Sequence, residues 1–99
     1  MSSQPDTIIV ISHILKDFNK WKAVFDSKAH MRQRAQIKVT SISRSVENPN
    51  QYIMIMHAPS AKAAQLLLQD PELARSMLEA EILGPPRIEV ATLVARPDL

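Results

Sequence analysis

A handful of side chains in this 99-residue sequence are suited to chemistry on a small organic molecule. His13 interrupts an otherwise apolar run from Ile8 to Leu15. An imidazole in such a setting exchanges a proton near neutral pH and can polarise a phenol or a ketone. The plainer reading is a strand-end histidine satisfied by the Asp17 region. Tyr52 opens a second apolar run and brings a hydroxyl that both donates and accepts. Trp21 and Phe25, one helical turn apart, can wall a pocket for a flat ring, although an aromatic stripe at that spacing more often packs against a sheet. Arg44 can meet an acidic ligand, against the ordinary reading of a solvated edge-strand arginine. His30 lies in a charged stretch and reads as surface.

Other chemistries find little support. The three histidines have no close spacing and the chain has no cysteine, so no metal site is expected. A single glycine leaves no phosphate-cradling loop, dinucleotide fingerprint or nucleophile elbow, so no cofactor is expected either. A formal net charge of +2, evenly spread, does not argue for nucleic acid. The first apolar run is too short to cross a bilayer. The absence of cysteine is compatible with the cytoplasm, and a soluble cytoplasmic protein is the expectation.

These residues are positioned by a simple order of elements. Met1 to Asp6 is small and polar and reads as a flexible tail, ahead of one domain spanning 7–96. Thr7 to Leu15 is a β-branched strand. Asp17 can cap a helix that carries Phe18, Trp21, Val24 and Phe25 at helical spacing and runs to about Ala35. Ile37 to Val46 is a second strand, Glu47 to Asn50 a turn, and Tyr52 to Ala58 a third strand. Ser60 caps a helix through Gln69. Asp70 and Pro71 then restart another, as N-cap and first residue, with Leu73, Met77 and Leu78 facing inward. Gly84, Pro85 and Pro86 stop that helix, and Arg87 to Ala95 is the last strand.

The pattern is βαββαβ, an α+β fold with a four-stranded antiparallel sheet. Alternate strand residues point to opposite faces, so Ile9, Ile11, His13 and Leu15 share one face and Ile8, Val10, Ser12 and Ile14 the other. Both sets are apolar, and the helices can cover only one. Leaving five or six large side chains wet would forgo about 1.5 to 3 kcal/mol each, which predicts a homodimer closed through its sheet faces. In a split βαβ arrangement the end of strand one meets the start of strand three, placing Tyr52 close to His13 and His57 at the far end. A one-residue slip would send Tyr52 and His13 to opposite faces.

The segment His13-Ile-Leu-Lys-Asp17-Phe18-Asn-Lys-Trp21-Lys22-Ala-Val-Phe25-Asp26 resembles the dimeric α/β-barrel proteins. So does Asp70-Pro71-Glu72-Leu73, continued through Met77 to Ala80 and Gly84-Pro85-Pro86. The likeness covers nearly the whole chain and points to one small branch whose own activity is unsettled. It implies a ferredoxin-like protomer paired with its twin. Relatives of that branch include antibiotic-biosynthesis monooxygenases that need neither metal nor flavin, polyketide cyclases and haem-degrading enzymes. The sequence departs from the branch at Gln36 and Glu81, where related chains more often carry glycine. Two functions follow as expectations. One is a cofactor-independent monooxygenase or cyclase acting on an aromatic or polyketide-like molecule, with His13 as acid or base, Tyr52 as orienter, and Trp21, Phe25 and Arg44 as ligand contacts. The other is a non-catalytic homodimer that binds a hydrophobic small molecule or serves in assembly.

Overall fold

A computed structural model describes residues 6–95. The first five residues of the expected tail, and Arg96 at the end of the expected domain, lie outside the described residues. The elements are β1 (Thr7–Leu15), α1 (Phe18–Ser27), α2 (Ala29–Arg34), β2 (Lys38–Arg44), β3 (Gln51–Ala58), α3 (Ala61–Leu68), α4 (Pro71–Glu79) and β4 (Ile82–Thr92). The sheet order is β2-β3-β1-β4 with every neighbouring pair antiparallel. This is the ferredoxin-like α+β arrangement, with each helical crossover broken into two pieces.

Alternation along β1 decides where the core lies. Thr7, Ile9, Ile11, His13 and Leu15 point under the helices and are buried, whereas Ile8, Val10, Ser12 and Ile14 point the other way and stay half-exposed. On the covered face they meet Met54, Met56 and Ala58 of β3, with Trp21, Met31, Ile37, Ala64, Leu67 and Ala80 packed above. Three helices start where side-chain oxygens can take free amide protons. Asp17 accepts from the Lys20 amide at 3.2 Å, Ser60 from Ala63 at 3.1 Å, and Asp70 from Glu72 at 2.9 Å with Pro71 following.

Four expectations from sequence need correction. The first helix does not run unbroken to Ala35. It breaks at Lys28, where the Ser27 hydroxyl donates to the Val24 carbonyl at 2.6 Å and the Lys28 amide turns instead to Phe25, which also accepts from Arg32 at 3.1 Å. Side chains thus take the carbonyls that would have continued the ladder. Leu78 does not face inward: it is 80% exposed, and the inward stripe of α4 is Leu73, Ser76, Met77 and Ala80. Gly84-Pro85-Pro86 does not stop α4, which ends at Glu79, and β4 already begins at Ile82. The strand also finishes at Thr92 rather than Ala95, leaving Val94 outside it.

The Gly84-Pro85-Pro86 segment is a bulge inside β4. Ser12 pairs with Arg87 and Ile14 with Leu83, so three residues stand opposite His13 alone. Prolines lack an amide proton, and they are tolerated here because β4 is an edge strand. Gly84 adopts φ 77°, which favours glycine. Gln36 and Glu81 hold the same left-handed region at φ 59° and 56°. Both follow a helix end, the place where glycine is preferred. Around Gln36 the amides of Gln36 and Ile37 bond back to the Gln33 and Arg32 carbonyls, closing α2.

Candidate functional site

His13 sits near the end of β1, under α1 and α4. Its ring is 5% exposed, and neither nitrogen has a hydrogen-bond partner among the described residues. Burial in this apolar setting disfavours the charged form and pushes the imidazole pKa below its ordinary 6.5, so the ring is neutral at pH 7. The expected satisfaction by the Asp17 region is not found, because the Asp17 carboxylate caps α1 instead. A buried polar group left unpaired costs about 1 to 3 kcal/mol, which makes this imidazole costly to stability and available to a ligand.

The ring faces a cavity of about 40 Å³ shared with Ile11, Trp21, Val24, Phe25, Leu73, Ser76, Met77, Ala80 and Ile82. Trp21 presents its ring edge-on to His13 at 5.3 Å between centroids and stacks on Phe25 at 4.9 Å. Arg32 covers the outer side of the Phe25 ring at 3.8 Å, fixing the end of the aromatic row. Helix α4 forms the opposite wall and is fastened to α2 by charge. Glu72 lies 2.8 Å from His30, 3.6 Å from Arg34 and 3.7 Å from Lys28. His30, read from sequence as a surface residue, is one strap of that fastening.

The register sets Tyr52 directly opposite His13, and Arg44 opposite Tyr52, so all three lie in one row on the covered face. They do not, however, share one space. Phe18 stacks on Tyr52 at 4.9 Å and reaches Trp21 at 5.7 Å, standing between the two compartments. Tyr52 and Arg44 line a separate, open cleft with Phe18, Ile42 and Ser43. His57 pairs with Ile8 at the far end of the sheet and lies 3.3 Å from Asp6. The structure therefore brings His13, Trp21 and Phe25 together and sets Tyr52 and Arg44 beside them.

Sequence reasoning missed Ser76, which is 7% exposed and lines the same cavity as His13. Its position between Leu73 and Ala80, on the inward repeat of α4, was the available signal. Among the described residues no three His, Asp or Glu side chains converge as metal ligands would, and no helix is long and apolar enough to cross a membrane.

Residues 5–85 match the family model described as a domain of unknown function, DUF3764. The chain belongs to that family. No curated protein matches it. Among solved structures, one similar protein comes from Caulobacter crescentus and is assigned provisionally to the antibiotic biosynthesis monooxygenases. It is 16% identical, with 93% of this chain and 92% of that one aligned at TM-score 0.74. SnoaB of Streptomyces nogalater, a cofactor-independent oxygenase, is 16% identical over 98% of both chains at TM-score 0.64. A NIPSNAP-like domain protein of Burkholderia xenovorans is 13% identical over 97% of this chain and 92% of its own, also at TM-score 0.64. At such identities the likeness carries the fold alone. It agrees with the ferredoxin-like protomer expected from the two sequence blocks of this DUF3764 chain.

Proposed function

We propose that this chain is a cofactor-independent oxygenase or cyclase that acts on an aromatic or polyketide-like small molecule, with His13 as its general base. The observation that carries the reading is the buried, neutral and unpartnered imidazole in an aromatic-walled cavity. Such a base removes the proton of a ring hydroxyl or an enolisable carbon and raises electron density on carbon. That carbon can then attack dioxygen, a phenol and O2 giving a quinone and water, or a carbonyl within the same molecule. Similarity of fold to SnoaB supports the first outcome. Tyr52 and Arg44, in the same cross-strand row but beyond Phe18, suit the part of the substrate that extends past that ring.

The present cavity has room for a few waters rather than a fused ring system. Substrate entry therefore requires Leu73 and Met77 on α4 to move aside, and it is the smallness of the space that favours the second reading, a non-catalytic module binding a small hydrophobic molecule. Oxygen uptake with a panel of phenols separates the two. Consumption that His13→Ala abolishes, with circular dichroism unchanged, supports the first. Tight phenol binding without turnover supports the second.

We further propose that the domain over 7–96 works in the cytoplasm as a homodimer joined through the open sheet face. Ile8, Val10, Ile14, Ile53 and Ile55 remain half-exposed there, and each releases about 1 kcal/mol on full burial. The sum of about 5 kcal/mol falls at the low end of the 4 to 15 kcal/mol that association costs, so polar contacts must assist. Gln51 and Ser12, bonded at 2.8 Å, and the Arg87–Glu89 pair lie on the same face beside Val10 and Ile53. Sedimentation equilibrium at micromolar concentration should give twice the 11.1 kDa protomer mass.

A further inference from the structure

Ser76 and His13 line the cavity beside the Trp21 indole, and each is more than nine-tenths buried. The Ser76 hydroxyl lies 2.7 Å from the Leu73 carbonyl. A carbonyl oxygen only accepts, so in this arrangement the hydroxyl proton points to it and the serine presents its lone pairs to the cavity. No described side chain donates to them. The neutral imidazole can likewise turn an unprotonated nitrogen toward the cavity. Two acceptors therefore border the same cavity.

We infer that Ser76 is a specificity-determining ligand contact, and that with His13 it selects a ring edge bearing two adjacent hydroxyl groups, as in an ortho-diphenol, over the corresponding mono-methyl ether. A ketone or ether oxygen would face lone pairs at Ser76. A single hydroxyl would leave one acceptor unpaired. Two neighbouring hydroxyls satisfy both walls, His13 taking the proton that leaves and Ser76 holding the second hydroxyl in place. The inference rests on the proposed role of His13 and adds the substrate class to it.

The test compares catechol with 2-methoxyphenol as probes. Trp21 is the sole tryptophan, so its fluorescence reports occupancy, and the imidazole nitrogen signals of His13 report contact at the base. Wild-type protein should bind catechol roughly ten-fold more tightly than the ether, and Ser76→Ala should bring the two affinities within about two-fold of each other. Ser76→Cys keeps the size with a weaker acceptor and should give an intermediate ratio. It also serves if the alanine variant does not fold. Shifts of His13 with both phenols but an unchanged ratio in the Ser76 variants would overturn the role of Ser76 while leaving that of His13 standing. Neither probe disturbing His13 or Trp21 would overturn both.

Discussion

The two faces of β1 are built from nearly the same residue types and end in opposite circumstances. Ile9 and Ile11 are sealed beneath helices, while Ile8, Val10 and Ile14, their neighbours in sequence, are half in water. Composition does not separate them. The difference comes from supply: the helical crossovers cover one face of the central β1–β3 pair, and even Ile88 and Val90 of β4, in register with Ile11 and Ile9, stay exposed. The covered face holds the one buried imidazole and the cavity, and the open face holds only surface that a second protomer could hide. The proposed chemistry and the proposed assembly thus fall on opposite sides of β1.

That contrast can be broken most forcefully from the covered side. Ile11→Ala should cost about 2 to 5 kcal/mol in urea unfolding, because it empties space at the centre of the core. Val10→Ala, one residue away, should cost well under half as much when measured on monomer at high dilution. Equal losses would erase the distinction between the faces. On the open side, Val10→Lys combined with Ile53→Lys should weaken self-association by at least a hundred-fold, read as a shift to the 11.1 kDa mass in sedimentation, with little change in circular dichroism. The estimate follows from burying two charges in an apolar interface.

His13 sharpens the contrast in a different way. Replacing it by leucine removes two unpaired buried nitrogens and should raise stability by about 1 to 2 kcal/mol at pH 7 while abolishing the response to phenols. The pH dependence has a definite sign. Because the folded pKa lies below 6.5, the unfolded chain binds the extra proton first, and stability falls as pH drops from about 6.5 toward the folded value. The signature is the part of the slope that disappears in a His13→Leu unfolding series at pH 5 and 7. The smallest effects belong to the left-handed positions. Gln36→Gly and Glu81→Gly should each stabilise by up to about 1 kcal/mol, and Gly84→Ala should destabilise by a similar amount although nothing crowds its Cβ. Thermal unfolding would measure all three.

Much of this was legible in the sequence because it depends on local rules. The limits of β1, the caps at Asp17, Ser60 and Asp70, and the alternation that sets His13 and Tyr52 on one face follow from periodicity and side-chain chemistry. The break at Lys28 was not legible, since it arises from Ser27 and Arg32 competing for carbonyls only once the helix exists. Gly84-Pro85-Pro86 reads as a terminator unless the edge position of β4 is known, which is a property of sheet order. The candidate site was half visible. His13, Trp21 and Phe25 could be picked out by type and spacing, but the partition made by the Phe18 ring, and the inward turn of Ser76, depend on how three elements lean together.

The placement of β1 at the middle of the sheet carries a consequence for how the chain is born. It is the first of the sheet's four strands to be made, yet one of its flanks waits for β4, the last of the four. For the seconds that translation takes to supply residues 82–92, the nascent β1 keeps one hydrogen-bonding edge open, shielded only by whatever holds it meanwhile. A stalled message would release a product carrying that unfinished edge, and chaperone capture of such fragments should depend on whether β4 has been made.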